Sequence, residues 1–320
     1  MNLSPLDIKL LRYTKFNGMA PTKELAQKLR VSPATIDYKL KKLEDENVIT
    51  EYKYRLDYRR LGLNKLAWVF LIANYRKGSS LKEISSSLLS NPSVHMLLML
   101  TGGHDIGLKI YAKDFHDISD LTFKIRSQLG DTIRSVNTVF AMKTYKLNQV
   151  PLEECKKSAN LDSSDIRILD YLLRSPRARI KEIASSLKIH RNTVSSKLRR
   201  LHDEKIIIKK SPVINTDYHQ VLGIAFKSVV FINTETDCIE ELAKKLATCE
   251  MVHELFAINT NHDIMAIIRT DTIRGLKRFH DMLYSDAEYK KLVYDTETLC
   301  VLDVLGDRSD DPPCLTPLKK

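Results

Sequence analysis

Residues 22–46 read TKELAQKLRVSPATIDYKLKKLEDE, and residues 180–204 read IKEIASSLKIHRNTVSSKLRRLHDE. Each is two short amphipathic segments around a tight break, at Arg30 and Val31 in the first stretch, which is the pattern of a helix-turn-helix. An offset of 158 positions lays one stretch on the other without a gap: Glu24 on Glu182, Ala26 on Ala184, Thr35 on Thr193, Lys39 on Lys197, Leu43 on Leu201 and Glu46 on Glu204. Charged, small and apolar positions match together, so the chain reads as one unit duplicated.

The surrounding sequence supports that reading. Ser4, Pro5 and Asp7 suit the start of a helix over 4–17, and Leu161-Asp162-Ser163-Ser164-Asp165 opens its counterpart. In the last helix of each stretch, Ile36, Leu40 and Leu43, or Val194, Leu198 and Leu201, share one face and point inward. The opposite face is the candidate DNA-reading surface. It offers Ser32, Thr35 and Tyr38 as base contacts in the first unit and His190, Arg191, Asn192 and Thr193 in the second, where Arg and Asn are the side chains that pair bidentately with guanine and adenine. Lys39, Lys41, Lys42, Lys197, Arg199 and Arg200 are the candidate phosphate contacts. Asp37 repels phosphate and His190 is a poor helix cap, the two features that favour an adaptor without DNA binding. After each reading helix a β-branched run, from Val48 and from Ile206, reads as a wing that lies along the DNA backbone.

Residues 62–147 predict β-α-β-β-α-β, with middle strands meeting at Thr101-Gly102-Gly103-His104-Asp105; residues 222–306 repeat the order, turning at Asn259 to Asp263. That is a ferredoxin-like domain, so the fold class is α+β: two copies of a winged helix-turn-helix followed by a ferredoxin-like domain. The winged units are expected over 1–61 and 161–221, a linker over 148–160 and a disordered tail over 307–320.

Charge separates the parts. The chain of 320 residues has a net charge of +11. Lys and Arg outnumber Asp and Glu by 13 to 8 in residues 1–62 and by 13 to 7 in 161–223, while 63–160 and 224–320 carry +5 and −5. The excess therefore equals that of the two helix-turn-helix units, which suits nucleic acid. The opposite signs of the sheet domains favour pairing of one with the other. Five scattered cysteines form no C-x-x-C pair, so neither a disulfide framework nor a metal site is expected. No apolar run approaches the roughly 20 residues of a membrane span, and a cytoplasmic protein without cofactor is predicted.

With Leu-Asp-x-x-Asp at the opening, the Glu-Leu-Ala or Glu-Ile-Ala helix and the Thr-Gly-Gly-His-Asp hairpin, the chain resembles the Lrp/AsnC (feast/famine) family of transcription regulators, twice over. The resemblance implies sequence-specific binding of double-stranded DNA, self-association through the sheets, and a small effector such as an amino acid at the hairpin. By position that site comprises Thr101, Gly102, Gly103, His104 and Asp105, with His262 and Asp263 in the second half, where Asn261 replaces a glycine. Most members carry one unit. The chain also resembles sirohaem decarboxylases, which share the architecture and a strand histidine, here His95 and His253, followed by His104 and His262. The Tyr and Arg associated with that strand are missing, and a porphyrin with many carboxylates requires clustered cations around a cavity, whereas the positive excess lies in the helix-turn-helix units. A regulator that performs no covalent chemistry is therefore expected.

Overall fold

The computed structural model describes residues 2–74, 81–152 and 158–307. Cys155, Cys314, much of the expected linker and nearly all of the expected tail fall outside them. The first unit runs α1 (Pro5–Asn17), α2 (Thr22–Leu29), α3 (Pro33–Asp45), β1 (Ile49–Leu56), β2 (Lys65–Ala73), α4 (Leu81–Leu89), β3 (Val94–Thr101), β4 (Ile106–Ala112), α5 (Phe115–Leu129), β5 (Ile133–Leu147) and β6 (Val150–Pro151). The second runs α6 (Ser163–Arg174), α7 (Ile180–Leu187), α8 (Arg191–Asp203), β7 (Ile207–Ile214), β8 (Phe226–Asn233), α9 (Ile239–Thr248), β9 (Val252–Ile258), β10 (Ile264–Thr270), α10 (Ile273–Ser285) and β11 (Asp295–Asp307).

The two sheets pair within the chain. Their strands follow the order β2-β4-β3-β11-β8-β10-β9-β5, and β5 returns to β2, which closes an eight-stranded barrel. Closure leaves no exposed edge among these eight strands. It also accounts for the length of β5 and β11. Each serves two partners: β5 pairs with β2 over Ile133–Phe140 and with β9 over Ala141–Lys146, while β11 pairs with β8 over Asp295–Cys300 and with β3 over Cys300–Asp307. Bulges along the second half of each strand bend it from one sheet to the other.

Apolar residues fill both sides of the barrel wall. Phe70, Leu98, Leu100, Val229, Phe231, Phe256, Met265 and Leu299 point into it, while helices α4 and α5 cover one half from outside and α9 and α10 the other. The expected linker begins later than its sequence predicts. Asn148 and Gln149 both take left-handed backbone conformations, at φ 50° and 70°, and turn the chain from β5 into β6.

Each wing strand crosses to the other half. Instead of folding back on its own helix-turn-helix, β1 pairs antiparallel with β7, from Ile49 opposite Ile214 to Leu56 opposite Ile207, and forms one ribbon shared by both units. Helix α1 packs on this ribbon, with Met19 N–H donating to Lys210 O at 2.6 Å. The core of the first helix-turn-helix accordingly takes Ile214, Leu222 and Ile224 from the second half, and that of the second takes Leu56, Tyr58, Leu61 and Leu63 from the first. Both reading units are thus anchored to one ribbon and, through it, to one barrel.

Candidate nucleic-acid interface and effector hairpin

Helix α3 starts cleanly. Ser32 Oγ accepts from Thr35 N–H at 3.1 Å, and the two hydroxyls lie 2.8 Å apart. Helix α8 is capped too, contrary to the sequence expectation: His190 Nδ1 accepts from Asn192 N–H at 3.3 Å, an imidazole doing the work of a carboxylate. Arg30 and Lys188, both left-handed at φ 56° and 54°, turn the chain between the paired helices. Ser32, Tyr38, His190, Arg191, Asn192 and Thr193 are exposed and Thr35 is half-buried, so both helix tips present side chains to solvent. Asp37 accepts from Thr22 Oγ1 at 2.9 Å, which ties it to the start of α2.

Three of the candidate phosphate contacts are engaged inside the protein. Lys39 Nζ lies 3.0 Å from the buried carboxylate of Asp7, which also closes a capping box with Ser4. In the second unit Lys197 and Arg200 both bind the buried Asp165, Lys197 at 3.0 Å, and Lys197 also binds Asp162. The same lock therefore recurs in both units and holds the first helix on the reading helix. Lys42 is half-buried and faces Glu46 at 3.8 Å, whereas Lys41 and Arg199 are exposed. The wing residue Lys209 is likewise turned inward, donating to Lys15 O and Phe16 O at 3.1 and 2.8 Å.

The two candidate effector hairpins mirror one another. Asp105 Oδ2 accepts from Ala73 N–H at 2.7 Å, and Asp263 Oδ2 accepts from Thr234 N–H at 2.9 Å, so each aspartate fastens its turn to the end of a neighbouring strand. Inside the barrel the rings run His104, Phe70, Phe231, His262, with centroid separations of 5.3, 5.5 and 5.1 Å. Burial holds the His104 imidazole below its usual range, against the opposing pull of Glu297 and Asp105. Its Nδ1 is buried without a hydrogen-bond partner among the described residues.

Each hairpin tip rests on the last strand of the other half. At Gly102 (φ 122°) an added Cβ would lie 2.9 Å from Leu299 Cδ2, and at Gly103 it would lie 3.1 Å from Glu297 Oε1, so glycine permits the close approach. Glu297 also lies 3.7 Å from His262 Nε2. Across the barrel, Asn259 Oδ1 accepts from Phe140 N–H at 3.2 Å.

Comparison with known proteins agrees with this geometry. A family model described as winged helix-turn-helix DNA-binding matches residues 3–50 and again 161–208, and one described as the Lrp/AsnC ligand binding domain matches 69–151. The chain belongs to the Lrp/AsnC family. The HTH-type transcriptional regulator FL11 of Pyrococcus horikoshii is 25% identical over 144 residues, which are 45% of this chain and 92% of that protein. The regulatory protein AsnC of Haemophilus influenzae is 28% identical over 151 residues, 47% of this chain and 97% of that protein. Nearly whole relatives thus align with less than half of the chain, as two fused units require. In overall fold the chain is similar to the sirohaem decarboxylase NirDL, with a TM-score of 0.60 at 13% identity over 94% of this chain and 92% of that one.

As a tandem Lrp/AsnC chain, the molecule has unequal halves. The four histidines of the decarboxylase comparison do not share one environment. His95 packs edge-on between Tyr58 and Tyr111 at 4.7 and 4.9 Å, while burial, together with the charges of Arg269, Lys227, Lys209 and Arg55, pushes His253 well below its usual range. The expectation that cations do not gather around a cavity is overturned. Lys15, Lys227 and Arg269 line one beside the buried Lys209, drawn from elements too distant in sequence for any local motif to mark.

Proposed function

We propose that the chain acts as a covalent pseudo-dimer that reads an imperfect palindrome, with α3 and α8 in successive major grooves about 34 Å apart. The observation that carries this reading is the shared ribbon on a closed barrel: one chain joins two reading units that in single-unit relatives would come from two. Arg191, Asn192 and Thr193 supply the stronger base contacts, Ser32, Thr35 and Tyr38 the weaker, and His190 acts as a cap beside them. Lys41 and Arg199 are the phosphate contacts, since Lys39, Lys197 and Arg200 hold the fold. Self-association of whole chains uses surface outside the closed barrel edges.

A small effector such as an amino acid binds at the Thr101–Asp105 hairpin, where the buried His104 Nδ1 has no partner among the described residues and Gly102 and Gly103 admit close approach. Asn261 in place of a glycine makes the Asp263 hairpin the poorer of the two. The chain does no covalent chemistry. Sequencing of fragments retained from sheared genomic DNA at low salt tests the whole reading, and enrichment of a two-part motif is the expected result. Retention of no fragment would overturn it. Incubation with sirohaem is expected to yield no decarboxylated product.

A further inference from the structure

Between α1, the shared ribbon and the second sheet lies a cavity of about 540 Å³. Lys15, Lys53, Arg55, Lys227 and Arg269 line it, against two carboxylates, Asp303 and Asp307. A cationic surface on a DNA-binding protein faces outward as a rule, whereas these groups converge inward. Lys227 is only 8% exposed, and the Arg269 Nε is buried without an acceptor among the described residues. Desolvation and mutual repulsion, chiefly from Arg269, bring the Lys227 ammonium down to about 7, and burial with the Arg55 and Arg269 charges does the same to Lys209. Such crowding of like charge is costly in the empty protein and is relieved by an anion.

The duplication supplies an internal comparison. Lys15 and Arg269 correspond at the 158-residue offset to Leu173 and Tyr111. Lys227 corresponds to Leu66, because Asp263 N–H donates to Ile232 O where Asp105 N–H donates to Leu71 O. Leu66, Tyr111 and Leu173 are buried in one apolar cluster, with the Tyr58 ring 4.8 Å from that of Tyr111. One half therefore fills this space with hydrocarbon, and the other keeps it open and lines it with cations. Packing alone needs no such difference.

We propose that this cavity binds a small metabolite bearing two or more oxyanion groups. The size suits a ligand of metabolite dimensions, and the guanidinium of Arg269 with the ammonium of Lys227 supplies charge-assisted donors for phosphate or carboxylate oxygens. The site is separate from the effector hairpin. Because α1 and the ribbon form its walls, occupancy braces the first helix-turn-helix against the barrel.

Pyrophosphate and citrate, titrated separately into the full chain at pH 7.5, distinguish the phosphate from the carboxylate form. Calorimetry should show saturable one-site binding of at least one of them, with proton uptake as Lys227 regains its charge. Lys227→Met and Arg269→Leu should each weaken that binding at least tenfold, while unliganded Lys227→Met melts no lower than wild type because a crowded cation is gone. Binding undiminished in both variants, no saturable binding of either anion to wild type, or a response matched by sulfate at the same concentration would overturn the proposal.

Discussion

The Lys109 ammonium lies 2.8 Å from both carboxylate oxygens of Glu254, and this pair, with each residue 2% exposed, joins β4 of the first half to β9 of the second. The Trp68 and Tyr111 rings flank the ammonium at 5.9 and 5.5 Å. This buried contact sets a cation of the first sheet domain against a carboxylate of the second. A buried pair adds little net stability, but removal of one partner strands the other charge.

Lys109→Met alone, or Glu254→Leu alone, is expected to destabilise the chain by about 3–5 kcal/mol, and the double variant should recover most of the loss. Urea unfolding of the three proteins checks this. Additive losses in the double variant would show that the pair has no role in holding the halves together.

The locks beneath the reading helices make a second, sharper contrast. Lys197→Ala removes a partner of the buried Asp165, so its melting temperature should fall while the salt dependence of DNA binding keeps its slope. Arg199→Ala should leave melting nearly unchanged and reduce that slope by about 0.9, the value for one phosphate contact. The two effects exchanged would return Lys197 to the DNA surface.

The acid limb follows from the same contacts. Hydrogen bonds from Lys197 and from the Asp165 backbone hold Asp162 at about 2, and contacts with Ser4 and Lys39 hold Asp7 below its usual range against its burial. Both carboxyls are depressed in the folded protein, so their stabilisation is complete above about pH 4 and is lost as pH falls toward 2. Circular dichroism across that interval should show loss of helix, at a higher pH in Asp162→Asn than in wild type.

What the sequence disclosed and what it hid follow a physical division. Helix boundaries, the duplication and the order of strands rest on local periodicity, and Leu25, Ile36 and Leu43 are as buried as their spacing requires. Contacts between elements left no such trace. Lys39 and Lys41 differ by two positions in one helix, yet one meets Asp7 and the other faces water, a distinction set by how α1 crosses α3. The exchange of β1 and β7 was equally invisible, since a strand's pattern does not name its partner. Asp105 was legible as a hairpin aspartate, but nothing local shows that its carboxylate reaches Ala73 N–H at the end of β2.

Lys209 and Lys227 also set an alkaline limb. Burial brings both ammonium groups down to about 7 in the folded protein, with Arg55, Arg269 and Lys146 also repelling Lys209, and with Arg269 and Lys109 opposed by Asp307 and Glu254 around Lys227. The unfolded chain binds more protons than the folded one between pH 7 and the ordinary lysine value near 10.4. Stability from these two groups must therefore rise across that window and stay flat below it. Wild type should gain in melting temperature from pH 7 to 9, and Lys227→Met should gain less. Equal gains would mean that Lys227 keeps its charge at neutral pH.

The two reading helices differ in a way that a single operator can expose. Arg191 and Asn192 lead α8 with a guanidinium and a carboxamide, whereas Ser32, Thr35 and Tyr38 lead α3, with Tyr38 64% exposed and the two hydroxyls bonded to each other. Bidentate pairing distinguishes bases by about 1–3 kcal/mol per contact, and a single hydroxyl reads them less selectively. Arg191→Ala and Asn192→Ala should each relax base preference in one half-site by that amount, and Thr35→Ala in the other by less. Fluorescence anisotropy on operators mutated one half at a time separates the two. Loss spread evenly over both half-sites would show that α8 holds the backbone and leaves the bases unread.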